Sequence, residues 1–291
     1  MPRRRPCARV MARRMTNATA ELHQVLDGIG RIAIAVSGGV DSMTLAIAAH
    51  RRLDADVSML HAISPAVPPE ATARVRAYAE RESWDLTILD AGEFADPDYL
   101  RNPANRCYFC KTHLYGAMAA RTTATLASGT NLDDLGDYRP GLEAAREQGV
   151  RHPFVEAGMS KAAVRALAHA MGLHDLAALP AAPCLSSRLE TGIDVTPERL
   201  RLVHAVERLV SERMNPTTVR CRLFHDGIAV QLDPASLGAI EGPSGAALRR
   251  EIEALLRERG QRAALRFEPY RMGSAFRHPA ANRAAAVAHG E

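Results

Sequence analysis

The chain has 291 residues, 47% of them hydrophobic, which is enough for two buried cores and excludes a peptide, a fibre and a wholly disordered chain. No stretch of about 18 apolar residues runs without a charge, so no membrane span is expected. The formal charge of +4, from 37 basic and 33 acidic residues, is too small an excess to imply nucleic acid or a membrane surface as partner. Six arginines fall in the first fourteen residues, which hold no acid, so the rest of the chain is slightly acidic.

Residues 1–18 open with MPRRRPCARVMARRM, which has no apolar periodicity and reads as a disordered tail. A transit peptide is the weaker reading, since the Ser-rich amphipathic pattern is missing, and Met11 or Met15 serves as well as Met1 for a start. From Thr19 a helix leads into the apolar run Ile32–Val36, a buried parallel strand that ends at Ser37-Gly38-Gly39. A helix from Asp41 follows. Strands are then predicted at Val57–His61, Leu86–Leu89 and Thr125–Ala127, with helices at Glu70–Arg81, Tyr108–Ala120 and Leu142–Glu147, and one capped by Ser160 that ends near Met171. This alternation predicts an α/β fold over residues 19–188, with a doubly wound parallel sheet whose ligand lies outside the strands' carboxyl ends. Past the Pro/Ala-rich stretch at 177–183 the pattern changes. Helices at Pro197–Arg213 and Gly245–Arg259 and strands at Val219–Phe224, Ile228–Leu232 and Ala264–Phe267 predict a smaller C-terminal α+β domain, 189–276, followed by a frayed tail, 277–291.

Ser37-Gly38-Gly39-Val40-Asp41-Ser42 is the strongest signal. Glycines allow close backbone approach, Ser37 and Ser42 add hydroxyls, and a helix amino end aims N–H groups at an anion, so the segment reads as a phosphate cradle. Asp41 beside polyphosphate calls for a divalent cation, and magnesium suits carboxylate and phosphate oxygens.

Five cysteines, an odd number, without a secretory segment argue for a reducing cytoplasm and against a disulfide framework. Cys107 and Cys110 lie one turn apart at a helix start, where the helix dipole, Arg106 and Lys111 favour thiolates. By themselves they fit half a zinc site, a redox pair or two buried thiols. Cys184, in Pro183-Cys184-Leu185-Ser186-Ser187-Arg188, sits on a loop suited to a mobile nucleophile, with Arg188 to hold the thiolate. Cys7 and Cys221 read as bystanders. Three thiolates suit a four-iron cubane that keeps one iron free for hydrosulfide; alternatively, Cys184 attacks the activated substrate and gives up its own sulfur.

SGGVDS resembles the pyrophosphate loop of the ATP pyrophosphatase superfamily, which implies a five-stranded parallel core binding ATP. Gly129-Thr130-Asn131, with Asp133 and Asp134 close behind, fits a second nucleotide segment of that superfamily. Together with Asn102–Lys111, Gly129–Gly141 and Pro183–Arg188, the chain closely resembles the LarE-type ATP-dependent sacrificial sulfur transferases over roughly residues 20–270. The resemblance implies adenylation of a carboxylate of pyridinium-3,5-biscarboxylic acid mononucleotide and its conversion to a thiocarboxylate for the nickel-pincer nucleotide of lactate racemase. The presence of all three cysteines implies the iron–sulfur type, with Cys107, Cys110 and Cys184 on a 4Fe-4S cluster and sulfide or another sulfur donor as partner. It also implies Ser37, Gly38, Gly39, Asp41, Ser42, Gly129, Thr130, Asn131 and Asp134 around ATP and magnesium. Cys184, Asp41, Lys111 and Glu207 are the candidate catalytic residues; Arg188, Arg220 and Arg222 are the candidates for the substrate's phosphate. Gln231 stands where the family commonly has an acid. A homo-oligomer without nucleic acid or membrane is expected. The alternatives are a tRNA thiolase of the same superfamily, an amidotransferase-like synthetase related to NAD synthetase, which leaves the three cysteines unexplained, and a non-catalytic nucleotide-binding regulator.

Overall fold

The computed structural model describes residues 8–136 and 140–277; Cys7, Asp137-Tyr138-Arg139 and the expected tail beyond residue 277 lie outside the described residues. The chain divides into two compact units, one running to Glu93 and including Cys107–Ala182, the other formed by Phe94–Arg106 and the chain from Pro183 onward.

In chain order the elements are α1 (Ala8–Ile29), β1 (Ile32–Ala35), α2 (Val40–Leu53), β2 (Val57–Ala62), α3 (Pro69–Glu82), β3 (Asp85–Leu89), α4 (Pro97–Leu100), α5 (Arg106–Ala119), β4 (Thr125–Ser128), α6 (Pro140–Glu147), α7 (Pro153–Glu156), α8 (Lys161–Ala170), α9 (His174–Ala177), α10 (Pro197–Met214), β5 (Val219–Phe224), β6 (Gly227–Leu232), α11 (Pro234–Ala239), α12 (Pro243–Glu258) and β7 (Leu265–Pro269). The helix expected from Thr19 begins at Ala8. Leu22 and Leu26 are fully buried and anchor α1, and the Ala, Arg and Met residues ahead of them are good helix formers.

The first unit carries a parallel sheet in the order β3-β2-β1-β4. Its centre, β1, is buried on both faces. Ile32 and Ile34 join the core formed with Leu22 of α1, Leu45 of α2 and Leu167 of α8. Ala33 and Ala35 join the core formed with Tyr115 and Met118 of α5 and Ala145 of α6. Helices on both faces make the sheet doubly wound, and the strand order reverses between β1 and β4, where such folds bind ligands.

Among the described residues the parallel sheet has four strands where five were expected. The fifth is reduced to a single parallel bridge between Ala127 and Arg151, in which the Arg151 N–H donates to Leu126 (2.8 Å) and the Ser128 N–H to Arg151 (3.0 Å). Pro153, at the first position of α7, lacks an N–H and starts a helix at once, so pairing stops there.

The second unit has a mixed sheet, β5-β6-β7, antiparallel between β5 and β6 and parallel between β6 and β7. Leu200, Val203, Val206 and Val210 form the buried stripe of α10 at helical spacing, and Thr196 caps that helix by accepting the Arg199 N–H (3.3 Å). Phe94–Arg106 belongs here because its polar groups are satisfied here. Asn102 Nδ2 donates to the carbonyls of Glu190 (2.8 Å) and Ile193 (2.9 Å), and the buried Tyr99 hydroxyl meets Ser186 Oγ at 2.8 Å. Arg277, the first residue of the expected tail, is held by Glu190 and by Thr191 Oγ1.

Candidate active site

At the β1–α2 turn, Ser42 Oγ is the hub of the loop. It accepts the Ser37 N–H (3.0 Å), pairs with Ser37 Oγ (3.0 Å) and donates to the Gly39 carbonyl (3.3 Å). Gly38 has φ +78, and a Cβ there would lie 2.6 Å from the Ala71 carbonyl, so both conformation and space require glycine. No side chain caps α2 at Gly39, which leaves its first N–H groups and its dipole directed at whatever the loop holds.

The β4 end supplies the second wall. A Cβ on Gly129 would lie 2.6 Å from Ser42 N and 2.7 Å from the Asp41 carbonyl carbon, so this segment packs backbone to backbone against the loop. Gly129→Ala is therefore expected to displace the loop, costing about 1–3 kcal/mol by overpacking and at least about tenfold in nucleotide affinity. A Mg-ATP titration of the folded variant checks this. Asn131 Nδ2 reaches Asp41 Oδ1 at 3.4 Å, its backbone N–H donates to Asp134 Oδ2 (3.1 Å), and its Oδ1 accepts the Asp133 N–H (3.1 Å). Asp134 thus orders the segment. Thr130 Oγ1 joins Ser128 Oγ (3.0 Å), which meets His152 Nδ1 at 2.9 Å; burial holds His152 below the ordinary imidazole range.

Asp41 also forms an ion pair with Lys161 Nζ, and the Lys161 N–H donates to Asp133 (2.8 Å). Lys161 was absent from the predicted site. The available signal was its rarity, since Lys111 and Lys161 are the only lysines in the chain. Lys111 lies on α5 with Nζ 5.4 Å from the Tyr115 ring centroid.

Cys107 and Cys110 occur in the first turns of α5 in the first unit, half-buried; Cys184 is in the second unit and exposed; none of the three is in a disulfide. Among the described residues, no three His, Cys, Asp or Glu side chains are gathered as a metal site. The chemistry of the thiols still separates them. Burial pushes the Cys221 thiol far above its ordinary range, so it stays protonated, whereas the three candidate ligands are all at least partly accessible.

In the second unit the Cys184 loop is fastened from behind. Arg188 forms a two-pronged ion pair with Glu207 (2.9 Å at each prong) and donates to the carbonyls of Pro183 (2.6 Å) and Cys184 (3.2 Å). Its side chain is 4% exposed and that of Glu207 12%. Burial alone opposes the Arg188 charge, but the Glu207 carboxylate outweighs it and raises its pKa. Glu207 also accepts the Cys221 N–H (2.9 Å). Arg188 and Glu207 are thus placed to hold the loop.

Arg222 donates to the Ser187 carbonyl (2.7 Å) and to Gln231 Oε1 (3.3 Å), and Arg220 to the Val219 carbonyl (2.6 Å). Burial and then the Arg188 charge lower both, Arg222 to about 10. The Glu207 carboxylate acts on all three guanidiniums, a cluster of positive charge suited to an anion. At Gln231, the amide takes Arg222 and Ser274 on its oxygen (3.3 and 3.1 Å) and donates to Glu268 (3.3 Å). The acid missing at 231 thus has a neighbour in Glu268.

No helix of the described residues is long and apolar enough to cross a membrane. No family model matches the chain. An uncharacterised protein of Synechocystis is 36% identical over 220 residues, 74% of this chain and 81% of its own length. The pyridinium-3,5-bisthiocarboxylic acid mononucleotide synthase of Lactiplantibacillus plantarum is 30% identical over 224 residues, 75% of this chain and 80% of its own. A Methanocaldococcus jannaschii protein, also uncharacterised, is 23% identical over 184 residues, covering 62% and 69%. The SGGVDS loop, its Gly129 wall and these likenesses agree: the chain belongs to the family of the Lactiplantibacillus plantarum synthase, the LarE-type enzymes of the ATP-using pyrophosphate-loop superfamily.

Proposed function

We propose that the protein is an ATP-dependent sulfur transferase which adenylates a carboxylate of pyridinium-3,5-biscarboxylic acid mononucleotide and replaces the activated oxygen with sulfur. The observation that carries this reading is the exposed Cys184, on a loop whose carbonyls are bound by Arg188, in a chain that also possesses the phosphate loop.

A carboxylate resists a sulfur nucleophile because oxide is a poor leaving group. Attack of the carboxylate oxygen on the α-phosphorus breaks the bond to the β-phosphate oxygen and turns the old oxygen into part of AMP. The N–H groups of Gly38, Gly39 and the α2 amino end, with Lys161, stabilise the charge on the departing pyrophosphate. Magnesium fits this donor set of hard oxygens: Asp41 and Asp134 would hold it, and it would neutralise the β and γ phosphates. Sulfur then adds to the acyl carbon and the C–O bond to AMP breaks, leaving a thiocarboxylate. Arg220 and Arg222 are assigned to the substrate's phosphate and Lys111 to the thiolate side of the site. Cys107, Cys110 and Cys184 are outside any disulfide and at least partly accessible, and three thiolates are the donor type a 4Fe-4S cluster takes; when bound, such a cluster would supply an iron able to carry hydrosulfide.

Two measurements test the reading. Protein purified without oxygen should contain about four irons and four sulfides per chain. An iron-free protein after reconstitution, with Cys184 losing sulfur on turnover, would replace the cluster by Cys184 as the sulfur source. Incubation with Mg-ATP, sulfide and the pyridinium dicarboxylate should yield AMP and a thioacid. ATP cleavage only with tRNA would overturn the substrate.

A further inference from the structure

Two carbonyls of the phosphate loop are pinned by side chains from outside it. Val36, the last residue before Ser37, has its carbonyl 2.8 Å from Nδ1 of His61. His61 sits on β2, is 1% exposed, and places its other ring nitrogen, Nε2, 2.9 Å from the Thr72 hydroxyl on α3. A carbonyl only accepts, so Nδ1 carries the proton; burial favours the neutral ring, in which Nε2 accepts from the Thr72 hydroxyl. Two residues further along α3, Arg74 Nη1 donates to the Gly38 carbonyl at 2.8 Å. Between these two bonds lies the backbone contact of Ala71 with Gly38. Thr72, Ala71 and Arg74 all belong to the first turns of α3.

We infer that His61 and Arg74 are positioning residues which clamp the phosphate loop to the amino end of α3 and so fix the orientation of its peptides for phosphate binding. In a trans peptide the C=O and the next N–H point in opposite directions. Drawing the Val36 carbonyl to His61 turns the Ser37 N–H toward Ser42 Oγ, the loop's hub. Drawing the Gly38 carbonyl to Arg74 turns the Gly39 N–H away from α3 and toward the Ser37 hydroxyl (3.4 Å), and the guanidinium charge polarises that peptide and strengthens the N–H as a donor. Burial lowers His61 from its ordinary range, outweighing the opposing pull of the Val36 hydrogen bond with a smaller lowering from Arg76, and so favours the neutral form the clamp needs. Neither residue touches the reacting atoms.

The inference rests on the ATP-binding reading of the loop, and the test separates the two. Mg-ATP affinity is measured by titration calorimetry on the full chain, beginning with the unaltered protein. No binding there overturns the ATP-dependent reading itself. Arg74→Met, on a half-buried residue, should weaken binding about tenfold, the size of losing one charge-assisted hydrogen bond. At residue 61 the clamp predicts an order that packing does not. His61→Asn keeps an N–H donor at the δ position for Val36 and should remain within about threefold of the unaltered affinity, whereas His61→Gln, closer in length but with its amide at the Thr72 end, should weaken binding about tenfold. His61→Leu should match Gln where it folds. An Arg74→Met protein with unaltered affinity, or a Gln variant that binds as well as Asn, would overturn the clamp while leaving the ATP reading standing.

Discussion

Lys161→Met should leave a folded protein that no longer releases pyrophosphate. In the native protein the Asp41 carboxylate faces the phosphate cradle already paired with Lys161, and both side chains are partly exposed, 23% and 33%. Removing the ammonium takes from Asp41 the counter-charge it has before Mg-ATP binds and withdraws the Lys161 charge from the cradle. The expected loss in kcat/KM for AMP formation is at least about 100-fold, or about 2.7 kcal/mol of transition-state stabilisation. The melting temperature should change little, because an ion pair this exposed contributes little to folding. A double variant, Lys161→Met with Asp41→Asn, also loses a carboxylate assigned to magnesium and should turn over no faster than the single variant. Full turnover by the single variant would show that Lys161 only balances Asp41 in the resting protein.

The second large effect lies in the other unit. Glu207→Ala strands the Arg188 guanidinium, buried to 4% exposure, without its counter-ion and takes the acceptor from the Cys221 N–H. Breaking one side of a buried ion pair costs about 3–5 kcal/mol, because the remaining charge stays desolvated. At about 4 °C per kcal/mol for a unit of this size, the second unit should melt about 12–20 °C earlier. A scanning calorimetry trace should then show it separating from the first, as expected when two units stop unfolding together. Glu207→Gln, which keeps an acceptor for Cys221 and loses the charge, should fall between. An unchanged trace would mean that Arg188 finds another partner.

The phosphate loop and its Gly129 wall were legible in the sequence because their determinants are local: a strand, two glycines, a helix start, and a second glycine segment after a later strand. The same holds for the cap at Ser160 and for the boundaries of β5 and β6, where turn residues flank short apolar runs. What was missed depends on approach across long stretches of chain. Lys161 reads as an ordinary first-turn residue of α8 until the sheet brings that helix opposite Asp41, 120 positions away. His61 reads as the last residue of a strand, and only the parallel pairing of β1 with β2 sets its ring against Val36. The fifth strand failed for a local reason that was visible, since Pro153 leaves no room to extend pairing past Arg151. The helical start at Ala8 was obscured because arginine-rich, acid-free composition signals disorder while its individual residues favour helix.

Phe94–Arg106 leaves the first unit after β3 and is used by the second, and the chain then returns to the first at Cys107. Neither unit is therefore a contiguous piece of the sequence. A fragment ending at Ala182 would keep Tyr99 and Asn102 but delete Ser186, Glu190 and Ile193, the partners that satisfy them, exposing an aromatic ring and two amide donors. A fragment starting at Pro183 would leave the Glu190 and Ile193 carbonyls without their donor. In evolutionary and engineering terms the unit of exchange is the whole chain: a graft of the cysteine-loop unit onto another ATP-binding scaffold must carry the thirteen-residue excursion with it.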